Sequence, residues 1–543
     1  MKASDLFVAC LKNEGVKTIY GVPGEEVMDL LDAIQDSGIQ FVSTRHEQGA
    51  AFMADVQGRL TGKAGVCLST LGPGATNLVT GVADANLDHA PLVALTGQAG
   101  LNLMHKESHQ YLDLVQLFRS ITKWNTQVKS PLVIPEVVRK AFKVAQTEKP
   151  GATHIEIPED MMKAQVEERP LFVQAPYPPE PLAAQVERAA RILSEARYPI
   201  ILAGNGVARL GASQALVEFA QRLNIPVANT FMAKGAIPFR HPLALGSIGL
   251  QSRDYVSCGF DLADVIITVG YDLVEYSPSL WNPGRDKKII HVDMSPAEVD
   301  ASYIVAVGVI GDLSVSLREI GERAKPNASA FSRPLREALI AEMAEYSDDK
   351  SFPIKPQRLL REIRKSLGKE DILISDVGAH KLWIARMYPC DQPNTCIISN
   401  GFASMGIAVP GAVAAKHLFP QRRVMAATGD GGFLMNSQEL ETAIRLGTPF
   451  VTVIFRDGGY GLIGWKQMVQ FSRETSVSFG NPDFVAYAES FGAKGYRVGG
   501  ADEISGILSE AFSQEVPAVV DCPIDYRENL RLTEKLGHMV CPI

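Results

Sequence analysis

The sequence predicts an α/β protein made of three doubly wound, parallel-sheet domains. Three observations point there. The chain has 543 residues, and roughly 150 residues per domain gives three or four units. Short apolar runs are repeatedly followed by glycine turns and helix-compatible stretches, which is the unit of a parallel sheet. Two proline-rich stretches, 166–181 and 324–356, divide the chain into blocks 1–165, 182–323 and 357–543, as linkers do. The first carries Pro170, Pro176, Pro178, Pro179 and Pro181. The second holds Pro326, Pro334, Pro353 and Pro356 around a charged, helix-like segment.

In the first block, residues 39–42 are apolar and lead into Thr44-Arg45-His46-Glu47-Gln48-Gly49. An Ala/Gly-rich, helix-compatible run covers 49–60. Residues 66–70 read as a buried strand turned by Gly72-Pro73-Gly74, and Pro91 opens the next apolar run after a helical stretch. In the middle block, 199–203 is turned by Gly204-Asn205-Gly206. In the last block, 403–417 is again Ala/Gly-rich, 424–428 is turned by Gly429-Asp430-Gly431, and Pro449 opens a strand ending at Phe455. The glycine-to-proline spacing is 19 in the first block and 20 in the last. This suggests a duplicated unit; the other reading is that any two α/β units look alike at this level.

Composition excludes several classes. Hydrophobic residues are 46% and charged residues 21%, ordinary globular values and not those of a disordered or fibrous chain. Lys plus Arg is 53 against Asp plus Glu 61, a net charge of −8, so no basic footprint for a nucleic acid appears. No apolar run approaches the roughly 18 residues of a membrane helix. Asp5, Lys12 and Glu14 interrupt the N-terminal apolar stretch, which therefore does not read as a signal peptide. Seven cysteines without a CxxC lead us to expect reduced thiols in a cytoplasmic protein.

Gly429-Asp430-Gly431-Gly432 closes a strand and opens a helix, where open α/β sheets bind ligands. Glycines let backbone approach an anion, and a helix N-terminus favours phosphate. Asp430 in that turn makes sense if a divalent cation separates it from the phosphate, because Mg²⁺ shares oxygen ligands between carboxylates and phosphates. Asp457, 27 residues on and past the next strand, is the nearest second ligand. Read alone, these residues more often make a plain turn with a solvated neighbour. Glu47 near a helix start fits a carboxylate favoured by the helix dipole, and His46 fits a satisfied structural residue. Gly204-Asn205-Gly206 lacks the third glycine of a dinucleotide fingerprint.

Together these residues resemble the thiamine-diphosphate enzymes of the acetolactate synthase and pyruvate decarboxylase type. The resemblance covers nearly the whole chain. It includes Gly21-Val22-Pro23-Gly24, Arg45-His46-Glu47, Gly72-Pro73-Gly74-Ala75-Thr76-Asn77, Asp376-Val377-Gly378-Ala379-His380 and 399–406. The segment 270–282, His109-Gln110 with Asp113, Tyr460-Gly461-Leu462-Ile463 with Trp465-Lys466-Gln467, and the tail from Pro523 to Gly537 look like the catabolic, FAD-independent acetolactate synthases. The family's glyoxylate carboligases lack the catalytic glutamate that Glu47 matches, and no His-His pair of the decarboxylase kind occurs in the first block. One departure stands out: that branch has Asn-Asp-Asn-Ala where this chain has Arg456-Asp457-Gly458-Gly459.

The resemblance implies pyrimidine-binding, central and diphosphate-binding domains over the three blocks. It implies thiamine diphosphate and Mg²⁺ as cofactors, and a central domain of FAD-type fold that needs no FAD. Glu47 would act on the pyrimidine tautomer and Gln110 would contact the acceptor. Asp430, Asp457 and the Gly459 carbonyl would hold Mg²⁺. Gly378, Ala379 and His380, with Gly429, Gly431 and Gly432, would line the phosphates. Ala403 and Met405 would accept from and support the pyrimidine, and Pro23, Gly24, Asn77, Tyr460 and Gly461 would complete the cofactor site. The implied reaction decarboxylates one pyruvate and ligates the hydroxyethyl unit to a second, giving 2-acetolactate and CO₂. The alternatives are a 2-oxo acid decarboxylase or a carboligase with another acceptor. The implied assembly is a homodimer or homotetramer with active sites at the dimer interface.

Overall fold

The computed structural model describes residues 1–174, 177–249 and 253–542; Pro176 lies outside the described residues. These residues form three six-stranded sheets, parallel at every strand pair. The first holds β1 (Thr18–Gly21), β2 (Gln40–Ser43), β3 (Gly65–Ser69), β4 (Leu92–Gln98), β5 (Trp124–Gln127) and β6 (Ala152–Pro158). The second holds β7 (Pro199–Ala203), β8 (Val227–Asn229), β9 (Ala244–Ser247), β10 (Val265–Val269), β11 (Lys288–Asp293) and β12 (Val305–Ile310). The third holds β13 (Ile372–Ser375), β14 (Cys396–Ile398), β15 (Val424–Gly429), β16 (Val451–Arg456), β17 (Lys494–Arg497) and β18 (Ala518–Pro523).

Counted within each sheet, the first and third share the order 2-1-3-4-6-5. The topology thus agrees with the repeat read from the glycine-to-proline spacing. The middle sheet runs 3-2-1-4-5-6, the order of dinucleotide-binding folds.

The strands form because their apolar runs are buried on both faces. Every residue of β3, β4 and β6 is buried, as parallel sheets covered by helices require. The helices Glu47–Thr61 and Ala408–Leu418 join the first and third blocks. Their small faces, Ala50, Ala51 and Ala54 against Ala408, Ala412 and Ala415, share one core. In the second proline-rich stretch the helix Ser332–Ala344 forms as its charged pattern suggested. It packs on the helix Tyr255–Leu262 and buries Leu335 and Leu339.

The expectation of seven reduced thiols is corrected at one pair. Cys258 and Cys541 form a disulfide across a sequence separation of 283. Cys258 sits on the helix Tyr255–Leu262, and the C-terminal tail brings Cys541 to it. Such a separation leaves no spacing signal to read. Among the described residues no helix is long and apolar enough to cross a membrane.

Candidate active site

The adjacent strands β13, β15 and β16 end side by side, with Gly429 paired to Phe455. This register sets Asp430 beside Arg456-Asp457, and β13 delivers Gly378 at the start of the helix Ala379–Met387. A cavity of about 170 Å³ opens there. Its walls are Gly378, Ala379 and His380 after β13, Gly429–Gly432 after β15, and Asp457 with Gly459–Ile463 after β16. Ala403 and Met405 close one side and Tyr526 another. Every last-block residue to which the resemblance gave a cofactor or metal role lines this one cavity.

Asp430 is buried and organises the turn beyond β16. Its Oδ2 accepts from the Gly458 N–H at 2.7 Å, the Asp457 N–H at 3.2 Å and Asn481 Nδ2 at 2.8 Å. Burial, and then the neighbouring Asp430 carboxylate, pushes Asp457 up to about 7. A Cβ at position 461 would lie 2.4 Å from Asp457 Oδ2, so any larger residue would displace that carboxylate. Gly458 has φ +72°, a conformation that glycine and asparagine both adopt. The departure from Asn-Asp-Asn-Ala therefore keeps the turn. Arg456 lies outside the cavity lining; its Nε donates to Asp521 at 2.6 Å. Burial holds the His380 imidazole down to about 3, so it is neutral at neutral pH.

Among the described residues, three buried polar atoms here find no geometric hydrogen-bond partner: His380 Nε2, the Tyr526 hydroxyl and Asn481 Oδ1. Two adjacent carboxylates, Asp430 and Asp457, line the same cavity as His380 and Tyr526. Among the described residues no group of three His, Cys, Asp or Glu side chains is placed to hold a metal by itself. A diphosphate carrying a divalent cation fits, since it brings oxygens together with positive charge.

The loop carrying Ala403 and Met405 is held from the first block. Asp84 Oδ1 accepts from Ser399 Oγ at 2.7 Å and from the Ser404 N–H at 3.3 Å. Asp88 accepts from the N–H groups of Asn400 at 3.0 Å and Gly401 at 2.5 Å. Arg59 binds Asp55, Asp84 and Asp88 at 2.6, 2.7 and 2.8 Å. On the far side, Asp376 accepts from the Gly406 N–H at 2.8 Å. Ala403 is held at φ +59°.

The first-block residues gather elsewhere. Glu47 is the first residue of its helix and is 9% exposed. Its Oε2 accepts from Asn77 Nδ2 at 2.9 Å. Gly24, at the turn after Pro23, packs on Thr70; Gly74 packs on Thr70 and Glu47; and Gly72 packs on the Gln110 backbone. Gln110 is exposed and has φ +56°. None of these residues lines the 170 Å³ cavity of the same chain. His46 is the helix N-cap, its Nδ1 accepting from the Gln48 N–H at 3.1 Å. Glu439 Oε1 accepts from the N–H groups of Arg45 and His46, both at 3.1 Å. Sequence reasoning named Asp376 and Tyr526 only inside motifs and missed Arg59, Asp84, Asp88, Glu439 and Asn481 altogether.

Comparison with known proteins agrees with this geometry. Three models of the thiamine pyrophosphate enzyme family match in order: the N-terminal TPP binding domain over residues 1–117, the central domain over 186–320 and the C-terminal TPP binding domain over 376–522. A Methanocaldococcus jannaschii protein named "Probable acetolactate synthase large subunit" is 38% identical over 100% of this chain and 96% of its own. The acetolactate synthase of Bacillus subtilis is 34% identical over 98% of this chain and 94% of its own. The catabolic acetolactate synthase of Raoultella terrigena is 34% identical over 98% and 97%. With three family models matched in order and relatives aligned nearly end to end, the chain belongs to the thiamine-pyrophosphate-dependent enzymes, close to the acetolactate synthases.

Proposed function

We propose that the protein is an acetolactate synthase, joining two pyruvates with loss of one CO₂ to give 2-acetolactate. The observation that carries this reading is the convergence of Asp430, Asp457, His380, Ala403 and Met405 on one cavity, in a chain aligned along its length with acetolactate synthases. Thiamine diphosphate supplies, when bound, an ionisable carbon and an electron sink. The protein's residues do the rest. Asp430, Asp457 and the Gly459 carbonyl would hold Mg²⁺, with His380, Gly378 and Ala379 beside the diphosphate and Gly429, Gly431 and Gly432 admitting it. Ala403 and Met405 would support the pyrimidine. Glu47, oriented by Asn77, would hold a proton at the pyrimidine ring nitrogen. Pro23 and Gly24 would border the pyrimidine, Tyr460 and Gly461 the diphosphate, and Gln110 the acceptor.

The site is shared between two copies in this reading. Glu47 lies outside its own chain's cavity, which supports delivery of that carboxylate by a partner. The helix Gly461–Phe471, at the cavity wall, buries only Gly464. It leaves Ile463, Val469 and Phe471 at 49, 57 and 60% exposure, exposed apolar surface suited to a second copy.

The central block would take no FAD. Its glycine turn after β7 is already filled: Glu275 accepts from the Asn205 N–H at 3.0 Å and the Asp272 N–H at 3.1 Å, and a Cβ at Gly204 would lie 2.3 Å from the Gly270 carbonyl oxygen. That carboxylate occupies the turn where a dinucleotide phosphate sits in such folds. Purified protein should show no flavin absorbance.

Product analysis with pyruvate, thiamine diphosphate and Mg²⁺ tests the reading. Acetolactate with CO₂ supports it. Free acetaldehyde makes the protein a decarboxylase, and no turnover of pyruvate removes both.

A further inference from the structure

Tyr526 stands apart from the motifs that place the other cavity residues. It lies just before the helix Arg527–Gly537, beyond β18, the strand paired with β16. Its ring packs against Gly461, 3.4 Å from where a Cβ would stand. The hydroxyl is buried, belongs to a residue that lines the cavity, and among the described residues donates to no acceptor; only the His380 backbone N–H is directed at it. Leaving a buried hydroxyl donor without an acceptor is unfavourable, so its place there points to a ligand.

We infer that the Tyr526 hydroxyl is a diphosphate-binding group, donating a hydrogen bond to an oxygen of the cofactor's diphosphate. This rests on the thiamine-diphosphate reading above. The chemistry favours an anionic oxygen. The hydroxyl is one donor among glycines and two carboxylates, Asp430 and Asp457, and bonds neither. An ordinary phenol keeps its proton throughout the working pH range, so this hydroxyl is available as a donor. His380 Nε2, the other unpartnered atom lining the cavity, is neutral. A diphosphate therefore meets two uncharged groups here, while Mg²⁺ on the carboxylates offsets its charge.

The test is Tyr526→Phe, which keeps the ring and removes only the oxygen. Binding of thiamine diphosphate and of inorganic pyrophosphate, each with Mg²⁺, is measured by calorimetry on the full-length metal-free protein. The melting temperature of the cofactor-free variant checks that it is folded. A hydrogen bond to a charged oxygen predicts that both dissociation constants rise roughly ten-fold, and that the phosphorus NMR shifts of bound thiamine diphosphate change. Equal affinities in the two proteins overturn the inference. So does weakening confined to thiamine diphosphate with pyrophosphate unaffected, because Tyr526 would then act on another part of the cofactor. If the wild-type protein binds neither probe, the functional reading itself falls, an outcome distinct from an unaltered Tyr526→Phe.

Discussion

Glu47 does not bond the residues proposed to hold the diphosphate, and this separation decides what its loss should do. Glu47→Gln keeps the shape and an acceptor for Asn77 but lowers the basicity of the group. Turnover should fall about 10²- to 10⁴-fold, while thiamine diphosphate binding by calorimetry stays near wild type. A variant that loses cofactor binding in step with activity would place Glu47 among the anchors instead. The residues legible from sequence share one trait: they sit in contiguous motifs at strand ends, where a turn of glycines around one acid admits an anion and a metal as well as a plain turn. Tyr526, Asn481 and Glu439 carry no such signature. Each is one polar residue on a loop or helix, and in the sequence it reads like any solvated neighbour. Arg456 misleads in the other direction. It breaks the branch's pattern, yet its side chain turns to Asp521, away from the cavity.

The helices that join the blocks carry their own chemistry. Glu439, on the helix Glu439–Leu446, is pushed by burial from 4.5 to about 7 while it accepts from the N–H groups before Glu47. Below pH 4.5 it is protonated in folded and unfolded chains alike. Between 4.5 and 7 only the folded protein keeps the proton, so stability falls as pH rises through that window, by on the order of 3 kcal/mol. Glu439→Gln lacks this slope, and denaturation at pH 5 and pH 8 should show the variant gaining on wild type at the higher pH. A variant with the wild-type slope would acquit Glu439. The Arg59 cluster is a second such joint. Arg59→Met leaves Asp55, Asp84 and Asp88 buried without their cation and should cost about 3–5 kcal/mol in chemical denaturation. A change under about 1 kcal/mol would mean that the backbone N–H groups alone satisfy these acids. Sequence could not show either joint, because the partners lie more than 300 residues apart.

At the scale of the whole molecule, strand order was legible only as a rhyme between the first and last blocks, since periodicity marks strands but not their neighbours. The Cys258–Cys541 tie was invisible for the same reason. The shared site makes a quantitative prediction. Glu47→Gln and Asp430→Asn are each expected to be inactive. Co-expressed with random pairing, about half the dimers are mixed, and in each of these one site collects both defects and the other none. Activity should return to roughly a quarter of wild type. No recovery, with mixed dimers verified by mass, would mean that each site is built within one chain.

The grip of Asp84 and Asp88 on residues 399–404 also bears on how such a chain is inherited. The loop that presents Ala403 and Met405 belongs to the last block by connectivity, yet its shape is set by carboxylates of the first. A crossover between relatives in the proline-rich stretch 166–181 separates those acids from the loop they hold. The hybrid is sound only if both parents carry the same acids and the same Ser399 and Ser404, whatever their overall likeness. Recombination therefore acts on a discontinuous unit, residues 55–88 with 399–406, and the linkers that look like natural places to cut are safe only between parents already matched across it.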